Sequence, residues 1–172
     1  MQNSQASGAS VRISPLEMAA IAFAIRTSAT PRQMYDYTLS TAAKHGVGGS
    51  VTRCLTDAAS IPPADYETQQ GWVVIALQNA FYQLLHAPNL EEGIVNTVGR
   101  GSDTDTNGAI AGALLGSVYR AESVPSQWTE CILNCRPRLG AEAVHQPRPE
   151  DYWPVDALEL AATLLTLVPS AL

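Results

Sequence analysis

The chain has 172 residues, 46% hydrophobic and 15% charged, with 10 Lys+Arg against 16 Asp+Glu and a formal net charge of −6. One domain's worth of sequence with so much apolar content can bury a real core, which excludes disorder of the whole. The acid excess, with Lys44 as the single lysine, excludes a nucleic-acid binder, because neutralising phosphates takes clustered Lys and Arg.

No apolar run reaches the roughly 18–20 residues that a membrane span needs. The start, Met1-Gln2-Asn3-Ser4-Gln5, has neither a basic n-region nor an apolar h-region, so no secretory signal is read there. Three cysteines, Cys54, Cys131 and Cys135, form no disulfide framework and are expected as reduced thiols of a cytoplasmic protein. Cys131 and Cys135, four apart, lack two further zinc ligands nearby and are expected as small core residues.

In chain order the elements are helices. Pro15 is expected to open a helix over Leu16–Arg26. After a turn at Thr27–Thr30, Pro31 opens a second, closed by Lys44-His45-Gly46 with its basic last turn and terminal glycine. Val47–Ala59 is expected as a shorter helix, broken by Pro62-Pro63. Trp72, Val73, Ala76, Leu77, Ala80, Phe81, Leu84 and Leu85 form a broad apolar stripe, with Val74 and Ile75 beside it, so this helix is expected to be central and largely buried. Pro88-Asn89 precedes a short helix, Leu90–Val98, with Glu91 and Glu92 in its first turn. A polar Gly99–Ser102 loop leads into a helix over Asp103–Arg120. Helices from Pro125 to Asn134 and from Pro154 to about Leu167 flank a Pro- and Arg-containing loop. The expected fold is all-α, a compact multi-helix bundle of about seven helices, in one domain over residues 1–172.

The segment from Gly101 to Val118 stands apart. Gly108, Gly112 and Gly116 fall on one helix face, where each costs about 1 kcal/mol relative to alanine unless another backbone approaches closely. Close packing of that face would fix the helix N-terminus, where Asp103, Thr104, Asp105 and Thr106 stand. Capping accounts for one or two such residues. Two carboxylates and two hydroxyls in succession also make a set of hard oxygen donors, suited to Mg²⁺, Mn²⁺ or Ca²⁺ rather than zinc. Both readings stand on spacing alone.

The run Gly101-Ser102-Asp103-Thr104-Asp105-Thr106-Asn107-Gly108-Ala109-Ile110-Ala111-Gly112-Ala113-Leu114-Leu115-Gly116 closely resembles the carboxyl-terminal metal motif of the ADP-ribosylglycohydrolase family. That family includes the dinitrogenase-reductase-activating glycohydrolases and the ADP-ribosylarginine hydrolases. Trp72, Val124-Pro125 with Trp128, and Tyr152–Glu159 are similar to the same half of the family. The resemblance implies that Asp103, Asp105 and Thr106 ligate a paired Mg²⁺ (or Mn²⁺) centre, with Asp105 also catalytic. Ser102 replaces the usual second glycine and adds a side chain beside the metal; Gly101 and Ser102 are expected to contact substrate. Gln5–Pro15 is similar to the family's glycine-rich loop that touches ADP-ribose, which makes Ser7 and Gly8 expected substrate contacts.

The resemblance implies a metal-dependent hydrolase that removes ADP-ribose from modified protein side chains or related ADP-ribosyl compounds. The alternative is an inactive helical module that binds ADP-ribose, a metal or a protein partner. Family members are longer, and their first half supplies a Thr-Asp-Asp set completing the two-metal site. No Asp-Asp pair occurs in the 172 residues, so the chain is expected to be a fragment or a shortened form carrying an incomplete two-metal site. His45 and His86 are expected as helix caps. Arg136, Arg138 and Arg148 with Pro137, Pro147 and Pro149 are expected as a solvated loop. Neither a nucleophile elbow nor a Walker-type loop is present.

Overall fold

The computed structural model describes residues 3–68, 72–142 and 144–166, and for 3–14 the backbone alone. Among the described residues there are eight α-helices, three short 3₁₀ turns and no strand, so the all-α expectation holds. The chain divides into two compact units, Met1–Val124 and Pro125–Leu172.

The first unit holds α1 (Asn3–Thr27), α2 (Pro31–Lys44), α3 (Ser50–Ala58), α4 (Val73–His86), α5 (Leu90–Val98) and α6 (Thr104–Tyr119). Local chemistry explains the helices read correctly. Thr30 and Gln33 form a reciprocal capping box ahead of Pro31, and the Asn89 side chain accepts from the Glu92 N–H at 2.9 Å, so both starts were written in the cap residues. His45 is the residue closing α2. His86 sets a ring nitrogen 3.1 Å from the Ala59 carbonyl oxygen and ties the end of α4 to the end of α3.

The start of α1 differs from expectation. The helix runs through Pro15, so residues 5–15 are helix and not a glycine-rich loop. A proline inside a helix forfeits one hydrogen bond and crowds the preceding turn; it does not by itself mark a beginning. The side-chain contacts expected of Ser7 lie outside the described residues. Gly8 is a helical position.

Helix α4 is the centre of the unit: it packs against α1, α2, α3, α5 and α6. Val74, Ala76, Leu77, Ala80, Phe81 and Leu84 are buried. Helix α6 packs against α1, α4 and α5, but through Asn107, Ala111, Leu114 and Leu115 rather than through its glycines. A Cβ at Gly108 would meet Val98 Cγ2 at 3.4 Å, one at Gly112 would meet Ile94 Cδ1 at 3.6 Å, and one at Gly116 would meet nothing within 4 Å. The expected backbone-to-backbone approach on that face is therefore absent; two glycines admit side chains of α5 and the third stands clear. The close approach belongs to Gly93 of α5, where a Cβ would fall 2.6 Å from Leu115 Cδ1 and 3.3 Å from Ala87 Cβ.

The second unit holds α7 (Ser126–Leu133) and α8 (Ala157–Thr166). None of its described residues is buried. Cys131 and Cys135 are exposed, not core residues, whereas Cys54 of α3 is buried. Large apolar side chains of this stretch, such as Ile132, Leu139, Leu158 and Leu160, are exposed too, so no core encloses the cysteines. The arginine loop is solvated as expected, Arg136, Arg138 and Arg148 all being exposed, with the guanidinium groups of Arg136 and Arg138 5.7 and 5.0 Å from the Trp153 ring centroid. The Trp153 indole N–H donates to the Arg148 carbonyl at 3.0 Å.

Candidate metal centre at the start of α6

The loop between α5 and α6 is built by backbone bonds. Gly99, Arg100 and Gly101 N–H groups donate to the carbonyls of Val95, Thr97 and Val98 at 2.8, 3.2 and 3.1 Å, so α5 unwinds in a tight turn. Gly101 and Ser102 then take left-handed backbone, φ +77° and +65°. Glycine adopts that region freely; serine does so at about 1 kcal/mol. The Thr104 N–H returns to the Ser102 carbonyl at 2.9 Å, and the Asn107 N–H closes the first turn of α6 on the Asp103 carbonyl at 3.0 Å.

A buried polar chain anchors this loop to α4. The Tyr66 hydroxyl donates to Asn79 Oδ1 at 2.8 Å, and Asn79 Nδ2 donates to Thr97 Oγ1 at 2.9 Å. Thr97 Oγ1 in turn donates to the Gly93 carbonyl at 2.8 Å. Asn79 and Thr97 are wholly buried, so each polar group needs these partners. Arg100 sits 6.0 Å from the Tyr66 ring centroid. Sequence reading missed these three residues. The available signal was a lone Asn inside the apolar stripe of α4.

Asp103 is the N-cap residue of α6, yet its side chain makes no capping hydrogen bond. Asp105 stands two positions on, in the first turn. Its carboxylate is held below the ordinary aspartate range by the Thr106 backbone N–H, then by a hydrogen bond with the Asp103 side chain, then by its own N–H. The capping reading thus has no side-chain hydrogen bond behind it at the N-cap, Asp103. Asp103 is half-buried, while Asp105 and Thr106 are exposed. Two carboxyl groups in hydrogen-bond reach repel when both are ionised; a shared proton or a cation between them relieves that repulsion.

Beside this pair lies a further oxygen. Ser102 Oγ is the one buried side-chain polar atom without a hydrogen-bond partner among the described residues. A buried hydroxyl left unpaired costs about 1–3 kcal/mol. The donor set at this helix end is therefore all oxygen: two carboxylates, the Thr106 hydroxyl and an orphaned serine hydroxyl. The positive end of a helix dipole disfavours a cation, and a carboxylate pair is what offsets it. Such donors fit a hard divalent cation and do not fit zinc. No group of three or more His, Cys, Asp or Glu side chains with metal-holding geometry occurs among the described residues, so the protein contributes few charged ligands here.

Fold and site together define an all-helical protein with a run of oxygen donors at a helix start. The family model of the ADP-ribosylglycohydrolases matches residues 6–159, and the chain belongs to that family. A mimivirus protein (Acanthamoeba polyphaga mimivirus) assigned by name as an ADP-ribosyl glycohydrolase is 35% identical over 66 residues, which cover 38% of this chain and 20% of that protein. The ADP-ribosyl-[dinitrogen reductase] glycohydrolase of Rhodospirillum rubrum is 32% identical over 57 residues, 33% of this chain and 19% of that protein. The chain thus spans about a fifth of the length of the relatives it matches. No solved structure matches it. No described helix is long and apolar enough to cross a membrane.

Proposed function

We propose that the chain is part of a metal-dependent hydrolase that removes ADP-ribose from modified protein side chains or related compounds, in the cytoplasm. Its share of the site is Asp103, Asp105 and Thr106, which would hold Mg²⁺ or Mn²⁺. Gly101 at the loop, and Ser7 and Gly8 in α1, are proposed substrate contacts. The single observation carrying this reading is a pair of carboxylates, Asp103 and Asp105, at the start of α6 with the N-cap side chain doing no capping, in a chain the family model matches over residues 6–159.

When bound, a divalent cation supplies Lewis acidity toward the ribose hydroxyls and an activated water. Asp105, fixed by the Thr106 N–H, orients that cation, and Asp103 completes the negative pair. As the glycosidic bond at the anomeric carbon breaks, the sugar gains positive charge, which these carboxylates stabilise. The departing group is the side chain of the modified protein, with arginine as the expected acceptor.

The test is binding of ADP-ribose by this chain with and without Mg²⁺, followed through tryptophan fluorescence. Binding that Mg²⁺ strengthens, and that Asp105→Ala reduces at least about tenfold by loss of a cation ligand, supports the reading. Equal binding by Asp105→Ala overturns it.

A further inference from the structure

Ser102 sits one residue before Asp103 with its hydroxyl enclosed and unpaired. Its backbone is left-handed at φ +65°, and its carbonyl is already engaged by the Thr104 N–H. The main chain is thus fixed, and the hydroxyl is the free polar group of this residue. Two unfavourable features meet at one position, and glycine would remove both. A buried hydroxyl without a protein partner calls for a partner from outside the chain. Asp103 and Asp105, one and three residues on, carry carboxylates that attract a cation, and a neutral hydroxyl adds donor capacity to such a set without adding charge.

We infer that Ser102 Oγ serves the cation held by Asp103 and Asp105, as a ligand or as partner to its coordinated water, and does not contact ADP-ribose. This rests on the metal-site reading above and reassigns Ser102 within it. The chain meets a general need in such sites, since groups that fix a metal's ligands and waters typically change affinity by about 10–100-fold when removed.

The experiment uses the 172-residue chain with Mn²⁺ alone, read by calorimetry and by electron paramagnetic resonance. Ser102→Gly suits the left-handed backbone, so in metal-free buffer it is expected to melt no lower than wild type. Its Mn²⁺ affinity is expected to fall about tenfold, with ADP-ribose binding in the absence of metal unchanged. Ser102→Gly binding Mn²⁺ within about twofold of wild type, while Asp105→Asn loses it, overturns the role of Ser102 and leaves the metal site standing. Ser102→Gly that weakens metal-free ADP-ribose binding but not Mn²⁺ overturns it in favour of a substrate contact. Mn²⁺ binding that is absent in wild type, or unaffected by Asp105→Asn, overturns the metal site and the role of Ser102 together.

Discussion

Glu17 of α1 is half-buried, and desolvation raises its pKa above the ordinary value of 4.5. A carboxyl whose folded-state pKa is raised stabilises the fold fully below its unfolded value, and that contribution is lost as pH rises through the folded value. Asp65 and Asp105 run the other way. Asp65 accepts from the Glu67 and Thr68 N–H groups at 2.8 and 3.0 Å, and its pKa is lowered, the Thr68 hydrogen bonds being the main cause. Their contributions are present above the unfolded value and lost in acid. At neutral pH, therefore, Glu17 is the carboxylate held against its solvation preference. Glu17→Gln removes the charge and keeps the shape. It is expected to melt higher than wild type at pH 7, with the gap closing near pH 4; thermal melts at the two pH values check this. A thiol shows the same physics, since burial pushes Cys54 up to about 12 and leaves it protonated, its Sγ donating to the Val51 carbonyl at 3.1 Å.

Between α5 and α6 the glycines sort by what faces them. Gly93→Ala would place a methyl 2.6 Å from Leu115 Cδ1, and Leu115 is fully buried, so it has little room to yield. Over-packing of this kind costs about 1–3 kcal/mol. Gly116→Ala meets nothing within 4 Å and should gain about 0.5–1 kcal/mol from helix propensity. Urea denaturation of the two variants is expected to give opposite signs; a destabilised Gly116→Ala with a neutral Gly93→Ala would restore the close-packed glycine face. This reversal marks the limit of sequence reading at the scale of elements. The boundaries of α2 and α5 were legible because Thr30, Pro31 and Asn89 act within one turn of chain. Which glycine needs its missing Cβ depends on a neighbour from another helix, and the i, i+4, i+8 pattern of Gly108, Gly112 and Gly116 carries no information about that neighbour. The candidate site divides in the same way. Asp103, Asp105 and Thr106 were legible as consecutive oxygen donors. The Tyr66–Asn79–Thr97 chain was not, because its members come from three segments that meet only in the fold.

At the scale of the whole molecule, the buried residues described all lie between Leu16 and Leu115, in the first of the two units, and the candidate centre stands on that unit's scaffold. The scaffold holds one helix start firmly, but a two-metal site needs more than one edge. Two cations about 3.5–4 Å apart bridge attacking and leaving oxygens only when ligands grip both. Asp103, Asp105, Thr106 and Ser102 all come from five consecutive positions of one turn. Donors so close in sequence converge from one side, and a cation held from one side keeps most of its hydration shell. Its water then stays far less acidic than one fixed in a closed, dry site. Losing one preorganised charge-stabilising group commonly costs about 10²–10³ in rate, and an open centre forgoes several at once. The 172 residues alone are therefore expected to release no ADP-ribose from ADP-ribosylated arginine in Mg²⁺ beyond the background of Asp105→Ala, even where they bind the nucleotide. The measurement is free ADP-ribose against time for both chains at equal concentration. Turnover that disappears in Asp105→Ala would mean that donors from elsewhere, such as a second copy of the chain, close the other side of the centre, and the one-sided reading would fall.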